Sequence, residues 1–201
     1  MNDKYYQKSL DERTALSRIL ELLPDDYDYQ HYFSPAEGYD VWDCVLMLFQ
    51  KGTNNLVRRF LIEAKVRDAF YPQLLLEKKK HDDLKKVAKQ KDKKTKNECY
   101  IDIETEVIYL CITPKGSYWF NLSKIEPEWH SEYHNASTMD KSQGKILKAV
   151  THLDTSEAKS FDITTTSLRE EPKKEIIKEV LIKQEQSFCL FKYITKKEEE
   201  K

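Results

Sequence analysis

A chain of 201 residues, 39% of them hydrophobic, can build one domain with a substantial core and leaves room for a small appended lobe. No apolar run approaches the roughly 20 residues that span a bilayer, and Met1-Asn2-Asp3-Lys4-Tyr5-Tyr6 lacks the apolar centre of a secretory signal. The expected location is therefore cytoplasmic, with no membrane partner. A formal net charge of −1 gives no global attraction to nucleic acid, yet residues 78–96 hold ten lysines against three aspartates, a net of +7 against −8 for the rest of the chain.

Residues 9–23 are expected to be a helix, because Leu16, Ile19, Leu20 and Leu23 recur at helical spacing and Pro24 closes the segment. Glu12 lies one turn before this stripe on the same face. The acidic stretch Asp25-Asp26-Tyr27-Asp28-Tyr29 follows as a polar connection, leading through Pro35 and Gly38 to a strand over Val41–Phe49. That strand is apolar on both faces, the pattern of a strand covered on either side. The polar stretch Lys51-Gly52-Thr53-Asn54-Asn55 then turns the chain into a second strand over Val57–Val66.

A hairpin centred near Thr53 sets Asp43 beside Glu63 on neighbouring strands, with Lys65 two residues further along the same face. Asp40 has the wrong parity for that face. Two carboxylates at the end of apolar strands can hold a hard divalent cation through oxygen ligands, most simply Mg²⁺, with Mn²⁺ also suited. The Ala64 carbonyl, directed sideways from its strand, adds a third oxygen. Lys65 is then placed to orient a water or to offset charge developing on a phosphoryl group. The alternative is a set of solvated strand-end carboxylates paired with Lys65 or Arg67.

Residues 73–94 are expected to form a long lysine-rich helix with Leu76, Lys80, Leu84 and Val87 along one face. Lys80 falls on the apolar stripe, whereas Lys78, Lys79, Lys85, Lys86 and Lys89 surround it. A third strong strand, Glu106–Thr113, turns at Pro114-Lys115-Gly116-Ser117 into a partner strand, Tyr118–Leu122. Beyond residue 127 the signals weaken. A strand fits Ile146–Leu153, a short turn or helix Thr155–Lys159, a charged helix Lys173–Lys183, a last strand Ser187–Ile194, and a frayed end Lys196–Lys201. The division this suggests is a core over residues 1–126, with residues 127–201 as an extension of that domain or a small appended lobe.

This order of elements, with Asp43 on one strand and Glu63-Ala64-Lys65 ending the next, resembles the core of the PD-(D/E)xK nuclease superfamily over about residues 8–122. The resemblance implies an α/β, restriction-endonuclease-like core: a central mixed β-sheet flanked by helices. It implies a metal-dependent DNA endonuclease that hydrolyses phosphodiester bonds, with Asp43 and Glu63 as Mg²⁺ ligands and Lys65 as the catalytic lysine. It also implies supporting roles for Glu12 on the first helix and for Gln73 and Lys80 after the motif. The Pro of the name-giving Pro-Asp pair is replaced by Trp42. DNA would then be met through the Lys78–Lys96 region, and a homodimer or a larger mobile-element or defence complex is a compatible assembly. A noncatalytic nucleic-acid-binding or protein-interaction module of the same fold is the competing expectation.

Other chemistries find little support. The four cysteines, Cys44, Cys99, Cys111 and Cys189, form no CxxC pair. No Gly-x-Ser-x-Gly elbow or phosphate-binding glycine loop is present. His130 and His134 flank Glu132 at a spacing that would suit zinc on a helix, but they do not form His-Glu-x-x-His and the sequence shows no third ligand.

Overall fold

The structure, a computed structural model, describes residues 3–34, 40–99, 102–136, 142 and 144–170. Its first element, α1 (Asp3–Glu21), buries Ala15, Leu16, Ile19 and Leu20 at three- and four-residue spacing. Tightened bonds from Leu22 and Leu23 to the Ile19 and Leu20 carbonyls close its last turn before Pro24.

The connection expected after α1 is in fact a strand, β1 (Tyr27–Phe33). Its aspartates obscure an aromatic, strand-favouring stretch in which His31 and Phe33 point inward. β1 pairs antiparallel with β2 (Cys44–Gln50), which pairs antiparallel with β3 (Leu56–Val66). Gly52, at φ 68°, supplies the left-handed residue in the β2–β3 turn and donates its N–H to Asp28 Oδ2 at 2.6 Å.

Cys44 faces Ile62 and Leu48 faces Arg58, and the register shifts by one residue only near the turn, between Leu48 and Phe49. The irregularity therefore sits far from Asp43, and the register expected for Asp43 and Glu63 holds where it matters.

Five residues expected to open a helix form strand β4 (Gln73–Glu77) instead, and α2 runs from Lys78 to Cys99. Leucines favour helix locally, but Leu74 and Leu76 alternate inward and find a partner in β8 (Lys145–Asp154), so tertiary pairing decides. The crossover through α2 returns the chain to β5 (Thr105–Thr113), parallel to β3, and β6 (Gly116–Asn121) follows antiparallel. Among the described residues β7 (His130–Asn135), a 3₁₀ turn (Thr155–Glu157), β9 (Lys159–Phe161) and α3 (Thr165–Glu170) complete the fold. The elements expected at 173–183, 187–194 and 196–201 lie outside the described residues.

The result is an α/β fold with a central mixed sheet of order β1-β2-β3-β5-β6-β9, flanked by helices, and a second sheet of order β4-β8-β7. One core lies between the central sheet and α1 with α3, and includes Leu46, Phe60, Ile62, Ile108 and Leu110. The other lies beneath α2 and β4-β8, and includes Val45, Leu61, Leu74, Leu84, Tyr109 and Phe120. No helix among the described residues is long and apolar enough to cross a membrane.

Arg59, only 5% exposed, ties the far end of α2 to the start of β5. Its guanidinium donates to Thr105 Oγ1, Thr95 Oγ1 and Asp92 Oδ1, each at 2.6 Å, and to the Ile103 carbonyl at 3.0 Å. Asp92 also accepts the Thr105 backbone N–H at 3.0 Å. Asp92→Ala strands this buried cation and should cost about 2–3 kcal/mol in chemical denaturation. Lys79→Ala, an exposed control, should stay within about 0.5 kcal/mol of the parent.

Candidate active site

The β2–β3 ladder ends at Cys44–Ile62, and the next position brings Asp43 opposite Glu63. The Asp43 backbone N–H donates to the Ile62 carbonyl at 2.8 Å, and its carboxylate Oδ2 accepts the Ala64 N–H at 2.7 Å. In an extended strand the N–H and C=O of one residue point the same way, so the Ala64 carbonyl is directed toward the Asp43 side.

Glu63 and Lys65 project from β3 on the α2 side of the sheet, beside Tyr109 and Cys111 of β5. The Glu63 side chain is 1% exposed, and Oε1 receives the Lys65 ammonium at 2.7 Å and the Lys80 ammonium at 2.8 Å. Lys80 comes from the buried stripe of α2 that also carries Leu84 and Ala88, and it reaches the Val41 carbonyl at 3.4 Å. Its position on the apolar stripe is thus a position against the carboxylates.

Glu12 enters from the other layer. It extends from α1 to the strand end, where Oε1 accepts the Val66 N–H at 3.4 Å. Asp40 is exposed, as is Gln73. Gln73 stands at the start of β4 opposite Asp154 rather than on a helix over Glu63. The structure therefore brings Glu12, Asp43, Glu63, Ala64, Lys65 and Lys80 together, and sets Gln73 on the second sheet.

Three carboxylates face two ammoniums here, and the protonation equilibria carry the mark of that imbalance. Burial, reinforced by the Glu63 charge and opposed by Lys65, the Ala64 N–H and Lys80, pushes Asp43 up to about 6. Burial pushes Glu12 up to about 7; Lys65 opposes this, and Asp43 and Glu63 add to it. Burial disfavours the Lys65 ammonium, but Glu63, Glu12 and Asp43 outweigh it and hold its pKa above the ordinary lysine value. The donor set is all oxygen, short of positive charge and close to a strand end, which fits a hard divalent ion such as Mg²⁺.

α2 opens with Lys78, Lys79 and Lys80 and has no acidic residue in its first turn, so the positive end of its dipole adds to the ammoniums. Lys78 and Lys79 pair with Asp82 and Asp83 at 2.5 and 2.7 Å. Lys86, Lys89 and Lys93 are exposed on the side of α2 away from the sheet.

A second group of metal-capable side chains occupies the other sheet: the ligand atoms of His130, Glu132 and His152 lie within 4.8 Å of one another. The spacing of His130 and Glu132 was visible in the sequence. The third member of the group, His152, was hidden because β7 is a strand rather than a helix and its partner β8 is distant in the chain.

The raised pKa values of Asp43 and Glu12 fix the sign of a pH effect. The ordinary values are 3.8 and 4.5, so the folded state binds protons more tightly than the unfolded chain. The contribution of these groups to stability is greatest at low pH and is lost as pH rises toward about 7. Asp43→Asn should therefore stabilise the metal-free protein at high pH by of order 1–3 kcal/mol and flatten its stability profile. Urea denaturation in chelator on either side of neutrality measures both effects.

No family model matches the chain, and no curated protein sequence does. Among solved structures it is similar to Archaeoglobus fulgidus Hjc, a Holliday junction resolvase from an archaeal hyperthermophile, at 14% identity and a TM-score of 0.39, over 77% of this chain and 96% of that one.

Proposed function

We propose that this chain is a metal-dependent DNA endonuclease of the PD-(D/E)xK type, hydrolysing phosphodiester bonds at the end of β2 and β3. The observation that carries this reading is the convergence of Asp43, Glu63 and Lys65 on one sheet face, with Lys80 closing on the same buried carboxylate. Asp43, Glu63 and the Ala64 carbonyl would hold Mg²⁺, and Mn²⁺ would suit the same oxygen set. When bound, the ion withdraws charge from the phosphoryl group and acidifies a water.

In the reaction, water oxygen bonds to phosphorus and gives up one proton to solvent, while the ester P–O bond breaks and the leaving oxygen takes up one proton from solvent, so the protons balance. In the metal-free site Glu63, Glu12 and Asp43 favour the Lys65 ammonium, and as a cation it would position the attacking water and offset transition-state charge. Lys80 shares the electrostatic task from the α2 side. Glu12, from the α1 side, adds a carboxyl group near Lys65 whose negative charge, when ionised, favours the ammonium. Gln73, exposed at the start of β4 on the second sheet, lies outside the reacting centre. The lysines at the start of α2 meet a phosphate near the carboxylates, and the exposed lysine face adds longer-range attraction to the DNA backbone.

A noncatalytic nucleic-acid-binding module is favoured by one observation. The two ammoniums on Glu63 Oε1 deliver the same positive charge that one divalent ion would. Incubation of the protein with supercoiled, linear and branched DNA, in Mg²⁺ or Mn²⁺, separates the two readings. Cleavage that falls about 10²–10⁴-fold in Lys65→Ala and Glu63→Ala supports the endonuclease. Cleavage untouched by both changes sinks the site, and retained DNA binding without cleavage of any substrate selects the module.

The outer face of α2 makes a separate prediction. Replacing Lys86, Lys89 and Lys93 together by Glu should reduce the slope of log affinity against log salt by about 0.9 for each phosphate that is no longer neutralised. Fluorescence anisotropy with a DNA duplex across a salt series reads this directly.

A further inference from the structure

The histidines of the second sheet remain outside that chemistry. β7 pairs antiparallel with β8, with His130 opposite Val150, Glu132 opposite Lys148 and His134 opposite Ile146. Residues two apart on a strand share a face, so His130, Glu132 and His134 project together, and His152 of β8 lies one step beyond Val150 on that same face. The rings of His130 and His152 stack with centroids 5.3 Å apart.

Glu132 is the hub. Its Oε1 lies 2.7 Å from His130 Nε2 and 3.8 Å from His152 Nδ1, and its Oε2 lies 2.9 Å from His134 Nε2. Lys148, directly opposite in register, is drawn away to Glu77 at 2.8 Å. Among the described residues the ion-pair partners of Glu132 are thus histidines alone.

We propose that His130, Glu132 and His152 hold a zinc-class divalent metal ion, with His134 positioning the carboxylate, and that the ion fastens the edge strand β7 to β8. Two imidazole nitrogens and one carboxylate oxygen make a three-ligand set that water completes to four. Nitrogen donors select zinc, cobalt or nickel over magnesium, so this site differs in kind from the all-oxygen set at Asp43 and Glu63. His134 on the far carboxylate oxygen is the outer partner that fixes the orientation of a ligand.

The strand it fastens needs such a tie. Among the described residues β7 pairs only with β8, its side chains are exposed or half-exposed, and the cross-strand pair Tyr133 and Leu147 is open to solvent. Little apolar burial holds the strand in place. A metal bond between the two strands supplies what packing does not.

Calorimetric titration of the tag-free, chelator-stripped chain with Zn²⁺, and with Co²⁺ for its ligand-field absorption, tests the site. The expected result, with excess Mg²⁺ present to occupy the oxygen set, is one ion per chain with a low-coordinate Co²⁺ spectrum. Both should be abolished in the His130→Ala/His152→Ala variant and retained in Asp43→Asn/Glu63→Gln. His134→Ala should weaken affinity by about 10–100-fold. Hydrogen exchange of the β7 amides should slow on Zn²⁺ addition to the parent protein and stay unchanged in the double histidine variant. No binding by the parent, or equal binding by that variant, overturns the site; binding that leaves β7 exchange unchanged overturns the clamp.

Discussion

Glu63 is a carboxylate buried to 1% exposure near the end of β3, and its burial is tolerable only because Lys65 and Lys80 arrive from two different elements. Removing such a charge from water costs several kcal/mol, which the interior returns only where oppositely charged groups approach closely. Lys65 is fixed by strand parity. Lys80 is fixed only if α2 begins at Lys78 and lays its buried stripe over β3, so the β4–α2 boundary and the parallel return to β5 both bear on one oxygen atom. Arg59 anchors the opposite end of the same helix, so α2 is held at both ends by charge as well as along its length by Leu84 and Ala88.

The hairpin that carries Asp43 and Glu63 was legible because it is local. Alternating apolar residues on both strands and one glycine-containing turn fix which side chains are neighbours. Glu12 and Lys80 were legible as positions on apolar helix stripes, but their closeness to the carboxylates depends on how two layers meet a sheet. β1 was missed because its aspartates and tyrosines belong to an edge strand, where one face sees water. β4 was missed because Leu74-Leu75-Leu76 fits a helix equally well until β8 offers an alternating partner some 70 residues later. His152 was invisible for the same reason: only non-local pairing makes it a neighbour of Glu132.

The two clusters divide the available donor chemistry. Carboxylates and lysines gather where β2 begins and β3 ends, while imidazoles gather on the face of β7 and β8. The imidazole set would favour a borderline ion, and the all-oxygen set would suit a hard one. The two sheets also differ mechanically. The central sheet is buried on both faces, whereas the smaller sheet keeps a weakly packed edge.

Three lysines at the positive pole of α2 oppose the helix dipole, and the pairs to Asp82 and Asp83 have the less favourable order along the helix. The first turn of α2 is consequently held more by its contacts to neighbours than by its own preference for helix. Fraying of that single turn withdraws Lys80 and opens Glu63 to water while both sheets stay paired. Local melting of one helical turn and access to the buried carboxylate are therefore one equilibrium.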